Sequence, residues 1–555
     1  MIHTRTRSTH ITHRGDDFWL IACTVGSPSS LTAANVGLSS ALRSEGFGTF
    51  GFDIHHRYSD SVKDFLNLDG LPEKGSLDYY AAMAHRDQLI KARRLAVTPA
   101  SPTPLSFIGG NETSRISSLG FLHYAIVSVG TPPLTFIVAL DTGSDLFWLP
   151  CDCTSCARSL NTTSGKTLEL KIYSPSNSST GMPVPCNSTT CGQRRRCSIR
   201  YNACAYQEVY LSSNTSSTGI LVDDVLHLAT DDSQEKVVDA PITLGCGIVQ
   251  TGDFLDAAAP NGLFGLGMDS VSVPSTLASK GLAANSFSMC FGPDGVGRMV
   301  FGDKGTPAQK TTPFNLKQSH PTYNISVTQI IVGENATNVE FSAIFDSGTS
   351  FTYLNDPAYS VIAEGFNSQV SEPRYQPETR IIFDYCYALG ANQNSFEYPN
   401  LNLTMKGGDQ FYVNAPVIVI PRQGGYAYCL AIVKSEDIDI IGQNFMTGYR
   451  IVFDREENVL GWTDSDCYDS KNGSNTLPVN RNSTEPPAPT PSIFNPQATP
   501  GNRTRSSGIS SPPPSSPSGP TRPLLGNGAT RLSSISCKLV MVIFCIFSHY
   551  LIILS

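Results

Sequence analysis

Phe136-Ile-Val-Ala-Leu-Asp141-Thr142-Gly143-Ser144 and Ser342-Ala-Ile-Phe-Asp346-Ser347-Gly348-Thr349-Ser350 share one form: an apolar strand ending in Asp, then a hydroxyl residue, Gly and a second hydroxyl residue. Average residue usage gives one such tetrapeptide by chance in roughly a few hundredths of chains this long. Alone, either copy reads as an Asx-type turn closing a strand. Two copies, each led by an apolar strand and about 200 residues apart, call for a common cause.

Chemistry supplies one. If the two turns meet across a pseudo-twofold axis, Asp141 and Asp346 come to about 3 Å, where ionising both costs roughly 5 kcal/mol even at an effective dielectric of 20. The pair then shares a proton, so an acid and a base coexist in mildly acidic water. One carboxylate can take a proton from a bound water while its neighbour protonates the peptide carbonyl that the water attacks. Neither a metal nor a covalent intermediate is needed. Gly143 and Gly348 let each backbone turn tightly, Thr142 and Ser347 can reach across to the opposite loop, and Ser144 and Thr349 are placed to bond the outer carboxylate oxygens.

The surrounding chain limits the alternatives. Its 555 residues have room for two or three domains, and a formal net charge of −8 does not suit a nucleic-acid binder. Fifteen cysteines point to an oxidising compartment. Twelve lie between Cys151 and Cys467, an even number, as full pairing requires. Sequons at Asn161, Asn187, Asn214, Asn324, Asn335, Asn402, Asn472 and Asn482, among others, fit a secreted glycoprotein. A zinc site at Cys153, Cys156, Cys186 and Cys191 is disfavoured by irregular spacing and by the compartment. A serine or thiol nucleophile is disfavoured because only His123, His227 and His320 are at hand as bases in the mature region, and there is no G-x-S-x-G elbow.

Residues 1–45 read as an atypical leader, either a weak signal peptide around Phe18–Gly26 or a misassigned start. Residues 46–118 are polar with a helical stretch near Tyr80–Ala96 and basic residues at Lys91, Arg93 and Arg94. From Phe121 to Cys467 the texture is short β-rich runs punctuated by glycine. Residues 469–528 are a Ser/Pro-rich segment too poor in apolar surface to fold, read as a glycosylated stalk. The apolar end within 529–555 fits a glycosylphosphatidylinositol signal, with Asn527 or Gly528 as attachment residue and Ser533 as the alternative. A retained transmembrane helix is the competing reading, marginal in length.

Taken together, these motifs resemble the pepsin-type aspartic endopeptidases over about Phe121 to Asp466. Val129-Gly130-Thr131-Pro132-Pro133, Asn261-Gly262-Leu-Phe-Gly265-Leu-Gly267, Asp439-Ile440-Ile441-Gly442, Phe453-Asp454 and Gly461-Trp462 fall in that family's order. Tyr210 matches the flap tyrosine, although it lies further from Gly219 than in pepsin itself, and Trp148 matches the residue that supports it. That departure, the cysteine-rich insertion Cys151–Cys204 and the tail are similar to the plant nepenthesin-like group, and within it to lipid-anchored "aspartyl protease family protein 1"-like members. Gly48-Thr-Phe-Gly-Phe-Asp-Ile-His-His-Arg-Tyr-Ser resembles their pro-segments.

The resemblance implies an all-β, bilobal fold of two pseudo-symmetric β-barrel lobes with a few short helices. It divides the chain into a pro-segment (46–118), an N-terminal lobe (119–310) and a C-terminal lobe (311–468), with Cys386 paired to Cys429. It implies a monomer that takes protein or peptide substrates at acidic pH, needs no cofactor and is held at the outer face of a membrane by its lipid anchor. Lys91–Arg94 are expected against the acidic cleft. The rivals are a catalytically silent binding or inhibitor glycoprotein of the same fold and an anchored wall glycoprotein; the latter leaves the paired Asp motifs unexplained.

Overall fold

The inward-facing residues Phe50, Ile54 and His56 place the first strand, β1 (Phe50–His56), in the middle of a sheet. The computed structural model describes residues 48–66, 71–95, 120–467 apart from short breaks, and 497–501. After β1 come two helices, α1 (Asp60–Leu66) and α2 (Leu77–Leu95). Three strands follow: β2 (His123–Val129), β3 (Leu134–Asp141) and β4 (Trp148–Ser155). The leader, the membrane-end signal and nearly all of the expected stalk lie outside the described residues.

Mostly β and bilobal, the chain adopts the architecture expected from its sequence. In the large sheet, β1 is antiparallel to Val296–Phe301 on one side and to β2 on the other, with Ile54 opposite Ala125 and His56 opposite His123. Beyond Val296–Phe301 the sheet continues through Ser286–Phe291, Tyr449–Asp454, Val459–Asp464 and Lys310–Pro313, so strands from both lobes share it. On the other side lie β3, Leu263–Gly265, β4 and the long hairpin of Ser216–Ala229 with Val237–Thr251. The second lobe has its own seven-stranded sheet, with Asn324–Val332, Asn335–Phe345, Asp439–Ile441 and Thr352–Leu354 as neighbours.

Trp148, Phe147, Phe136 and Phe264 in the first lobe, and Phe345, Phe411 and Ile441 in the second, are fully enclosed. Each such side chain contributes about 1.5 to 3 kcal/mol by leaving water. The residues read as a polar pro-segment join these cores. Val62 and Leu66 of α1 pack into the cluster around Trp148, and Met83 and Ala84 of α2 pack with Phe351, Tyr353 and Phe383 of the second lobe.

All twelve cysteines of the central block are paired: Cys151–Cys246, Cys153–Cys156, Cys186–Cys197, Cys191–Cys204, Cys290–Cys467 and Cys386–Cys429. The last is the pair that the resemblance implied. Four of the six lie in or close the insertion that begins within β4, where Cys191 and Cys204 pack with Leu160, Leu170 and Val184.

Two expectations need correction. Asn324 is only 6% exposed, and its side-chain oxygen accepts a 2.7 Å bond from Asn315 Nδ2. A glycan there has no room, whereas Asn187 and Asn335 are exposed. Within the expected stalk, Gln497–Gly501 forms a strand parallel to Ser395–Pro399. Backbone N–H and C=O groups at a sheet edge can recruit a polar segment without apolar side chains.

Candidate active site

β3 delivers Asp141 into a turn whose Gly143 N–H donates to Asp141 Oδ1 at 2.9 Å. The strand Asn335–Phe345 delivers Asp346 in the same way, with Gly348 N–H donating to Asp346 Oδ1 at 2.9 Å. The two turns, so far apart in sequence, therefore share the same local geometry. The loops meet where Thr142 Oγ1 and Ser347 Oγ face each other at 3.5 Å, both buried. Thr349 Oγ1 donates to Asp346 Oδ2 at 2.7 Å, as expected. Ser144 does not do the same for Asp141, since its Oγ is enclosed without a partner. Its carbonyl accepts instead from Gly267 N–H at 2.8 Å.

Behind each loop runs a short parallel strand. Phe264 lies opposite Leu140 and Gly265 opposite Asp141, while Ile440 lies opposite Ile344 and Ile441 opposite Phe345. Leu266 N–H donates to the Asp141 carbonyl at 2.9 Å, and Asp346 N–H donates to the Ile441 carbonyl at 3.1 Å. Glycine is required at two of these crossings. A Cβ on Gly265 would come within 2.2 Å of the Asp145 carbonyl, and one on Gly442 within 2.2 Å of the Phe351 carbonyl. Each aspartate loop thus rests directly on backbone.

Tyr210 sits at the end of strand Ala203–Val209, where its N–H donates to Thr215 at 2.9 Å and closes a hairpin with Ser216–Ala229. Trp148 Nε1 donates to the Tyr210 hydroxyl at 2.7 Å, so the expected support is in place. Phe254, unanticipated from sequence, packs edge-on against both rings at 4.8 and 5.0 Å. Burial, with Glu208 and Asp141 adding negative charge, pushes the Tyr210 hydroxyl well above its ordinary range and keeps it neutral.

Over the second loop lies α2. The Arg86 guanidinium donates to the Gly120 carbonyl at 2.6 Å and to the Gly348 carbonyl. Asp87 accepts bonds from Ser350 N–H at 3.0 Å, Ser350 Oγ at 2.8 Å and Phe351 N–H at 2.9 Å. Both side chains are buried, at 5% and 1% exposure, and their ion pair spans 3.3 Å. Arg86 is thus a basic residue of α2 against this loop; the contact expected of Lys91–Arg94 falls on side chains outside those described. A charged pair directly after the apolar stretch Ala81-Ala-Met-Ala and His85 was the available sequence signal. Among the described residues no group of His, Cys, Asp and Glu is arranged to hold a metal.

Two family models match the chain, "Xylanase inhibitor N-terminal" over residues 123–303 and "Xylanase inhibitor C-terminal" over 322–464. "Aspartyl protease family protein 1" of Arabidopsis thaliana is 58% identical over 460 residues, covering 82% of this chain and 89% of that protein. "Aspartic proteinase-like protein 1" of the same plant is 38% identical over 441 residues, covering 76% and 82%. "Aspartic proteinase nepenthesin-2" of Nepenthes gracilis is 25% identical, covering 61% and 77%. Among solved structures, that of edgp superposes with a TM-score of 0.50 at 17% identity, covering 62% of this chain and 91% of that one. It speaks to the fold alone.

Proposed function

The chain belongs to the pepsin-like aspartic protease family, and we propose that it is an acid-active endopeptidase made as a precursor. The carrying observation is the facing pair of loops, each holding its Asp Oδ1 on a glycine N–H and joined at Thr142 and Ser347. Between such carboxyls a water loses its proton to the ionised member as it attacks the peptide carbonyl, and the protonated member donates to the carbonyl oxygen. Tyr210 closes over the substrate and limits water.

Residues 46–118 serve as pro-segment in this reading. Support comes from α2, which caps the second catalytic loop with Arg86 and Asp87, and from β1, which completes the central sheet. The mature enzyme is a glycosylated monomer tethered at the outer face of the cell membrane through a lipid added near Asn527 or Gly528. Its substrates are proteins or peptides.

Hydrolysis of a denatured protein between about pH 3 and 6, with and without pepstatin, tests the activity. Pepstatin-sensitive cleavage is expected. A second reading, a catalytically silent binding or inhibitor glycoprotein, is favoured by the descriptions of the two family models. It predicts no pepstatin-sensitive cleavage at any pH.

A further inference from the structure

Where β1 meets the protease body, two histidines stand opposite each other in the strand ladder. His56 of β1 pairs in register with His123 of β2, with ring centroids 5.4 Å apart. Both are buried, at 6% and 5% exposure. His56 Nδ1 accepts the Tyr58 N–H at 3.3 Å, so a second proton enters there only at the cost of that bond, and its Nε2 is enclosed without a partner. His123 Nδ1 is likewise enclosed without a partner, and its ring packs 4.8 Å from Phe291.

The charged groups bearing on the pair are cations from three elements: Arg57 following β1, Lys74 ahead of α2 and Arg86 on α2. Tyr58 and Tyr79 complete the ring of neighbours around His56. His55, next to His56 on β1, bears on His123 and feels Asp53, which pairs with Arg298 at 3.2 Å. A proton on either imidazole of the pair would therefore be buried beside like charge.

We propose that His56 and His123 form an acid-sensitive latch between the pro-segment and the protease body, neutral while β1 is docked and protonated when it leaves. The proposal rests on the precursor reading above and names the trigger within it. Burial, each other's charge and the nearby cations hold His56 well below its ordinary range, and burial with Arg86 and His55 pushes His123 down to about 3.

The sign follows from linkage. A freed histidine titrates near 6.5. Below that pH the released form binds protons that the docked form refuses, so docking is at full strength above about pH 6.5 and weakens as pH falls. Each histidine weakens it up to about tenfold per pH unit until its docked value is reached. Asp87 cannot be the trigger, because burial raises its carboxyl and acid then favours the docked form at that site.

The test is hydrogen exchange of residues 50–56 in the full chain, corrected for intrinsic rates, as pH is lowered from 7.5 to 3.5. It is run in an Asp141→Asn background, so the readout needs no catalysis. Protection is expected to fall with a midpoint below pH 6.5. The midpoint should drop by about one unit in His56→Asn/His123→Asn, and by part of that in each single variant, which decides the matter if the double variant does not fold. An unchanged midpoint in a folded variant, or full protection of the parent at pH 3.5, overturns the latch. Hydrolysis that survives Asp141→Asn would sink the protease reading separately.

Discussion

Thr142 Oγ1 and Ser347 Oγ meet at 3.5 Å in the buried seam between the two aspartate loops. This contact sets the loops, and through them Asp141 and Asp346, at a fixed separation. Thr142→Ala and Ser347→Ala should each lower kcat while leaving KM nearly unchanged. In a double-mutant cycle on stability, the two hydroxyls should couple by about 1 kcal/mol; simple additivity would deny the contact a role.

Trp148→Phe removes the donor to the Tyr210 hydroxyl and leaves a buried polar group unpaired, at about 1 to 3 kcal/mol. The flap then loses its rest position, so kcat/KM should fall about tenfold. Tyr210→Phe leaves the indole N–H unpaired instead and should be at least as costly. Steady-state kinetics on an acid-activated sample decides both.

Asp87 holds three donors of the second aspartate loop while neutralising Arg86. Asp87→Asn strips Arg86 of its counter-charge and turns an amide N–H toward one of the loop's donors. Breaking a buried pair costs on the order of 3 kcal/mol, so the uncleaved chain should bind pepstatin about a hundredfold more tightly at neutral pH than wild type does. Equal affinity would mean that α2 does not obstruct the site.

Cys386 and Cys429 close a 43-residue separation within the second lobe. The chain-entropy relation assigns about 4 kcal/mol to such a link. Cys386→Ala/Cys429→Ala should therefore unfold at markedly lower temperature, as calorimetry would record, with the first lobe's flap geometry retained.

The two aspartate loops were legible because their pattern is local. Strand, carboxylate, glycine and hydroxyl follow one another within nine residues, and close backbone approach at Gly265 and Gly442 leaves no substitute for glycine. Trp148 and Tyr210 were legible by resemblance. Other features depend on partners far away in the chain. Phe50–His56 finds its strand partners in Val296–Phe301 and β2, the former far along the chain. Arg86 and Asp87 look like an ordinary solvated pair until Gly348 and Ser350 supply their partners. Ser144 repeats the pattern of Thr349, yet its hydroxyl is enclosed without a partner, and the Asn324 sequon is spent on a buried bond to Asn315.

The central claim is that Asp141 and Asp346 together activate water. Its most direct measurement is hydrolysis of a denatured protein near pH 4 by acid-treated wild type, Asp141→Asn and Asp346→Asn, each shown to be folded. Either substitution removes one member of the acid–base pair and should reduce the rate by at least about a hundredfold. Wild-type rates in a folded Asp141→Asn or Asp346→Asn protein would contradict the account.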